Sequence, residues 1–362
     1  MNDFRRNIKT SQRFEYGAYQ FMDHFLGRER VFKMLGKRRK KFYKNLTETL
    51  KASGEGKIMP MERRKDLSLK EFKEHYVRKG IPVVMEGAAK DWNCVKSWSM
   101  EYFKDLHGED EIILVDQKIE GYPFEKIKLK DVIDNIRSGG KKYYRFYPLL
   151  ARHPEHIKDF DYKWLLDRKV KPALFDLFQV FMGGGNTITN FHNSNPPNLF
   201  VQAYGQKEWI VYSHYYTPIV DPIPVRNAYR NAPYKKNNAP FDPYNPDYES
   251  PYNLWKYIDG FQTVLQPGDV LWVPPFYWHA VRNLTDSIGV GYRWVAPFYA
   301  FKVSPLYMLL DCFSTNPNLL KSYKLTREDS NLIWLAESGK LDEYLKEKAE
   351  KEKLKKAQVN TI

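Results

Sequence analysis

The sequence predicts a mainly β molecule with flanking helices (α+β), centred on a double-sheet jelly roll. Three observations carry that prediction. Between residues 174 and 296, short β-branched and aromatic runs alternate with turn residues. Aromatics make up 16% of the chain, with 26 Tyr and 22 Phe, beside 22 Pro and 20 Gly, a composition suited to strands and turns. Helix-period patterns fall outside that stretch. With 362 residues and 43% hydrophobic content, the chain can bury a large core, and wholesale disorder is excluded.

Residues 1–65 read as a basic, largely helical N-terminal extension. Val31, Leu35, Phe42, Leu46 and Leu50 recur at helical spacing, and KASGEGK at 51–57 reads as a linker. The jelly-roll domain is placed at 66–300. It opens on SLKEFKEHYVRKG, where Ser68 and Glu71 make a capping-box pattern and Gly80 a stop. IPVVMEGA follows as a strand, SMEYFKDLHG as a short helix, EIILVDQ as a strand, LKDVIDNIRSGG as a helix and KKYYRFYPLL as strand-like. LFDLFQVFMGGG is a strand ending in three glycines. NLFVQAY and KEWIVYS flank Gly205-Gln206 as a hairpin. QTVLQPGDVLWVPP gives two strands around Pro267-Gly268-Asp269, and WHAVRNL and SIGVGYRWVA complete the set. An irregular insertion at about 214–262, rich in Pro, Asn and Tyr, is of the kind that forms binding loops or moves. Residues 301–362 read as a C-terminal helical segment ending in an exposed Lys/Glu run.

The net charge of +14 favours an anionic partner. Residues 28–44 alone hold nine Lys and Arg, either as a binding segment or as a solvated helix face. Two cysteines, Cys94 and Cys312, are too few for a disulfide framework and suit a reducing, cytoplasmic setting. The opening MNDFRRNIKTSQRF has no apolar core of a secretory signal. No apolar run approaches the about 20 residues that span a bilayer.

The stretch TNFHNSNPPNLFVQAYGQKEW, residues 189–209, bears the chemistry. Alternation along a strand makes His192 and Ser194 point the same way. His279 arrives much later, after GDVLWVPPFYW, and a jelly roll can bring the two histidines together in one interior. Lys207 shares a strand face with Trp209 and Val211; if that face is interior, its ammonium calls for an anionic partner.

Four stretches, GIPVVMEGAAKDWNCVKSW, GGGNTITNFHNSNPPNLFVQAYGQKEW, LQPGDVLWVPPFYWHAV and SIGVGYRW, resemble the JmjC-type, cupin-like oxygenases that use Fe(II) and 2-oxoglutarate. That group includes protein asparaginyl hydroxylases. The resemblance covers roughly residues 66–300, and PGDVLWVPPFYWH is its strongest part. It implies oxidation of a substrate C–H bond coupled to conversion of 2-oxoglutarate to succinate. Carried over, His192 and His279 match the two metal-binding histidines of the facial triad, and Ser194 stands where the triad has Asp or Glu. Lys207 matches the lysine that meets the distal carboxylate of 2-oxoglutarate, and Thr189 and Asn198 match positions that hydrogen-bond it.

The serine leaves three outcomes. Two histidines hold iron with water or an anion in the third place, as in halogenase relatives; Asn190 reaches in from the same strand face; or no catalytic metal binds. The first function reading is an Fe(II)/2-oxoglutarate oxygenase that hydroxylates a protein side chain or small molecule. The second is a non-catalytic cupin-like binding protein. The third is a nucleic-acid or anionic-membrane binder acting through residues 28–44. A homodimer through the C-terminal helices, as in relatives, is a further expectation. Trp272, Trp278 and Trp294 are assigned to the core, His214 to an ordinary role, and His153 and His156 to no regular helix because Pro154 lies between them. Tyr143, Tyr144 and Arg145 lie where the family lines its pocket.

Overall fold

Strand runs bounded by turn residues assemble into two facing sheets. The structure, a computed structural model, describes residues 8–115, 124–147, 149–174, 176–224, 229–233, 240–249, 252–313, 335 and 339–359. The first sheet has six strands in the order β1 (Ile58–Pro60), β12 (Gly260–Leu265), β10 (Lys207–Tyr212), β14 (Trp278–Asn283), β8 (Ile188–Ser194) and β11 (Tyr229–Asn231). The second has seven: β2 (Arg63–Arg64), β3 (Val83–Met85), β13 (Val270–Val273), β9 (Asn198–Tyr204), β15 (Ser287–Trp294), β7 (Asp176–Gly183) and β6 (Tyr143–Tyr147). A separate hairpin pairs β4 (Glu111–Val115) with β5 (Phe124–Lys128). Consecutive strands β8, β9 and β10 alternate between the sheets, so chain neighbours face each other across the interior, as in a jelly roll.

Phe181, Phe200, Trp209, Val211, Leu271 and Val273 pack in the space between the sheets. The outer face of the seven-stranded sheet is covered by a larger cluster that includes Phe72, Trp98, Trp272 and Trp294. The outer face of the six-stranded sheet lies under α1 (Thr10–Leu26), α2 (Arg28–Ala52) and the described parts of the insertion; Tyr16, Phe42, Leu46, Trp255 and Trp278 meet there. Trp272, Trp278 and Trp294 are all fully buried.

Local chemistry accounts for the elements that bracket the site. Ser68 and Glu71 do exchange capping-box hydrogen bonds, although the helix they start widens into a π turn at Phe72–Val77. Helix α3 (Met100–His107) is capped by Ser99, and α4 (Leu129–Arg137) ends before Gly139. Pro154 starts a 3₁₀ turn, Pro154–Asp159, in place of an α-helix. The turn between β9 and β10 sets Gly205 at φ 66°, a conformation that side chains resist.

The chain joins both sheets before residue 66. β1 runs parallel to β12 and β2 parallel to β3, and helix α2 continues to Ala52, into the stretch read from sequence as a linker. α5 (Tyr162–Arg168) precedes β7, and α6 (Pro297–Val303), α7 (Pro305–Cys312) and α8 (Leu341–Val359) follow β15. The first part of the C-terminal helical run read from sequence, 326–334, lies outside the described residues, as do positions 225–228, 234–239 and 250–251 of the insertion.

Candidate functional site

Two adjacent strands of the six-stranded sheet present the histidines. β8 and β14 run antiparallel with His192 opposite His279, and the ring centroids lie 4.2 Å apart. Each ring is fixed by its own strand. His192 Nδ1 lies 2.7 Å from the carbonyl oxygen of Asn190, and His279 Nδ1 lies 2.9 Å from that of Tyr277. A carbonyl can only accept, so both Nδ1 atoms carry the proton. Both Nε2 atoms keep a lone pair, the tautomer a metal ligand needs. Trp209 stacks on His279 at 5.3 Å.

Both imidazoles are buried. Burial first, then His279, holds His192 well below the ordinary histidine range. His279 is pushed down to about 4, again chiefly by burial. The Arg293 guanidinium acts in the same direction on both rings, so they are neutral at physiological pH.

The ladder between β8 and β14 is irregular. His279 pairs with His192 but Val281 pairs with Thr189, three steps along one strand answering two along the other. This bulge turns Thr189 and His192 to the same side, where strict alternation would separate them. Thr189 Oγ1 lies 3.3 Å from the hydroxyl of Tyr143, which reaches over from β6 in the opposite sheet.

Lys207 stands on β10 opposite Asn283 of β14, two residues before Trp209 and four before Val211, which pairs with His279. It is fully buried. Its ammonium makes no hydrogen bond of good geometry among the described residues. It lies 5.5 Å from the Tyr143 ring centroid and 5.6 Å from that of Phe200, contacts that compensate a buried cation only in part. Burial lowers the pKa of Lys207, against the pull of the neighbouring Tyr143 phenol. For Tyr143, burial alone would raise the pKa, but Lys207 and then Arg145 outweigh it and bring the phenol below its ordinary value. Asn198 is buried on β9 with its Oδ1 lacking a donor among the described residues.

Glycines on β15 make the room. A Cβ at Gly289 would stand 2.3 Å from Phe200 Cζ, and one at Gly291 would stand 3.2 Å from Asn198 Oδ1 and 3.3 Å from Arg293 Nε.

The structure therefore gathers His192, His279, Thr189, Asn198 and Lys207 around the interior between the sheets. Ser194, half-buried at the end of β8, pairs with Tyr229 of β11 and accepts a backbone hydrogen bond from Phe276 at 2.8 Å. Asn190 contributes its carbonyl to His192. His214 packs against Tyr215 and Tyr277. Tyr143 gains a defined place beside Lys207. Arg293 was not singled out in the sequence, though a lone charge inside the apolar run SIGVGYRW was its signal. His153 and His156 join His107, likewise not foreseen, in a separate cluster.

A buried ammonium beside the Tyr143 phenol, with the Thr189 hydroxyl against that phenol and the Asn198 amide on the facing sheet, fits a small dicarboxylate. Two neutral imidazoles whose Nε2 atoms keep a lone pair fit two positions of a divalent first-row metal. The third position of a facial triad has no carboxylate: among the described residues no three His, Cys, Asp or Glu side chains gather to hold a metal.

Similar proteins agree with this architecture. A JmjC domain-containing protein D of Dictyostelium discoideum is 26% identical over 254 residues, covering 62% of this chain and 53% of that protein. A lysine-specific demethylase 8 of Xenopus tropicalis is 24% identical over 247 residues, covering 63% and 51%. A 2-oxoglutarate and iron-dependent oxygenase JMJD4 homolog of Drosophila melanogaster is 20% identical over 288 residues, covering 65% and 64%. The chain spans about half the length of the first two. Residues 69–300 match the family described as Cupin-like domain, and with most of its length inside that match the chain belongs to the cupin-like family.

Proposed function

We propose that this protein is a 2-oxoglutarate-dependent oxygenase of the Fe(II) type, acting as a hydroxylase on a protein side chain or small molecule. The observation that carries the reading is the pairing of two tautomer-fixed imidazoles, His192 and His279, with a buried ammonium in the same interior. Its similarity to a lysine-specific demethylase 8 and to a 2-oxoglutarate and iron-dependent oxygenase supports it.

In this reading Lys207 receives the distal carboxylate of 2-oxoglutarate, with Tyr143, Thr189 and Asn198 as hydrogen-bonding neighbours. Charge pairing there is strong because water is excluded. His192 and His279 hold the metal through Nε2, their backbone partners fixing ring orientation before binding. Fe(II) with 2-oxoglutarate supplies the oxidising power when bound. Trp209, Phe200 and Phe181 keep the interior dry. With Ser194 in place of a carboxylate, no acidic side chain among the described residues joins the two histidines, so the co-substrate or another anion would bring the balancing charge.

Ser194 favours a second reading, in which the cavity binds a dicarboxylate and no reaction follows. Anaerobic titration separates the two. Fe(II) added with 2-oxoglutarate gives a weak visible charge-transfer band if both bind together, and the chain melts at higher temperature. A thermal shift with 2-oxoglutarate but no band and no succinate formation sinks the oxygenase reading and leaves the binder. No response to either ligand sinks both. Ser194→Asp tightens metal binding if Ser194 stands at the third ligand position.

A further inference from the structure

The last strand of the jelly roll brings a guanidinium to the histidine end of the interior. On β15, Ile288, Val290, Tyr292 and Trp294 pack outward into the large cluster, so alternation turns Gly289, Gly291 and Arg293 inward. Arg293 is buried, and its Cζ lies 5.8 Å from the ring centroid of Phe181, which packs between the sheets. Its charge acts on both His192 and His279. Gly291 leaves room beside it: a Cβ there would stand 3.3 Å from Arg293 Nε.

The surroundings are cationic. The cations that act on His192, His279, Lys207 and Tyr143 are Arg293, Arg145 and Lys207, and no carboxylate stands among the leading influences on any of the four. Ser194 stands where a facial triad has its carboxylate, and no acidic side chain among the described residues joins the two histidines. Two oxygens also call for donors. Asn198 on β9 stands opposite Arg293, and Gln179 on β7, in the inward phase of Phe181, stands opposite Gly291. Asn198 Oδ1 and Gln179 Oε1 are buried and accept no hydrogen bond among the described residues. 2-Oxoglutarate, as a dianion, has no N–H or O–H to give them.

Building on the oxygenase reading, we propose that the primary substrate carries a carboxylate, taken by Arg293, with an N–H beside it for Asn198 and Gln179. A guanidinium fork matches a carboxylate through two parallel hydrogen bonds. Lys207 stands four residues along β10 from Val211, the partner of His279, whereas Arg293 acts on both imidazoles. The two cations therefore serve different ends of the interior, Lys207 the co-substrate and Arg293 the substrate. A lysine or arginine side chain as substrate would bring a fourth cation among three, and like charges brought together select against it.

Anaerobic calorimetry on the full chain, with Fe(II) and excess 2-oxoglutarate, compares the α-amides of N-acetyl-aspartate, N-acetyl-asparagine and N-acetyl-lysine. The aspartate derivative should bind at least about tenfold tighter than its neutral isostere, the increment of a charge-assisted hydrogen bond, and the lysine derivative should bind weakest. Arg293→Gln should erase the acid preference, and Arg293→Lys should keep part of it. Melting temperatures of both variants show that they fold. Equal or absent binding of all three amides overturns the proposal. So does a preference for the lysine derivative, or an acid preference that survives Arg293→Gln. An aspartate-centred heptapeptide that binds tighter than the free derivative assigns the carboxylate to a protein side chain, and the reverse order assigns it to a small acid. The oxygenase reading fails when 2-oxoglutarate itself gives no heat, whatever the amides do; the substrate assignment alone fails when 2-oxoglutarate binds and the acid preference is missing.

Discussion

At the scale of single residues the dominant energetic fact is the ammonium of Lys207. It is buried with no hydrogen bond of good geometry among the described residues, and a charge so placed costs more than the about 1–3 kcal/mol of an unsatisfied neutral group. Lys207→Met should therefore raise the melting temperature of the ligand-free chain while removing any shift caused by 2-oxoglutarate. A variant that melts lower when ligand-free shows that the ammonium is satisfied by the protein itself. The reason to place Lys207 inside was visible in the sequence, through its phase with Trp209 and Val211. Thr189 was different. Its phase relative to His192 is wrong for a regular strand, and only the bulge opposite Val281 brings it round. A bulge leaves no reliable trace in the residues themselves, so the resemblance and not the period carried that assignment. Arg293 was missed for a related reason: a cation within a buried strand gives no clue to which side it takes until the neighbouring glycines are seen to make space for it.

At the scale of elements, two packing arrangements yield expectations. The first is the pair of glycines on β15. Gly289→Ala would bring a methyl against Phe200, and such overpacking costs about 1–3 kcal/mol; urea unfolding should show the midpoint fall. The second is the histidine cluster that ties α3 to the 3₁₀ turn at Pro154. His107 and His156 approach through Nε2 at 2.7 Å, His153 stacks on His107 at 3.7 Å, and Asp110 and Asp159 accept from His153 and His156. Burial first, then His153 and His156, push the His107 pKa down to about 4. Unfolded His107 takes up a proton near about 6.5. Between those values the unfolded state holds more protons, so stability falls as pH drops from about 6.5 toward 4 and is level above. His279 contributes with the same sign. Melting temperatures at about pH 7.5 and pH 5 should differ accordingly, and His107→Gln should narrow the gap. An unchanged gap would mean that His107 does not titrate in that window. Pro154 gave away the lack of a regular helix here, but nothing in the sequence joined His107 to residues more than forty positions away.

Across the whole molecule the N-terminal helices are part of the architecture. Arg39 is fully buried, with both oxygens of Asp23 within 2.9 Å, and Asp221 lies on its other side. Asp23→Ala would leave that guanidinium short of its main counter-charge, and breaking a buried pair costs about 3–5 kcal/mol; the retained Asp221 favours the lower end. Chemical denaturation should report the loss as one cooperative transition shared with the sheets. Deleting the first 50 residues to test for a binding role would strip the outer face of the six-stranded sheet, and point changes on α1 and α2 are the sound alternative. The jelly roll was legible because turn residues punctuate its strands at short intervals. The cover was not, because Val31, Phe42 and Leu46 announce an amphipathic helix without saying what it covers. One last feature bears on traffic through the site. The insertion supplies β11, whose Asn231 stands opposite His192 in a continuous ladder with β8. A segment stitched to the histidine strand is a wall and not a door. Access to the imidazoles therefore does not run through that strand, and changes to its outward side chains should leave them in place.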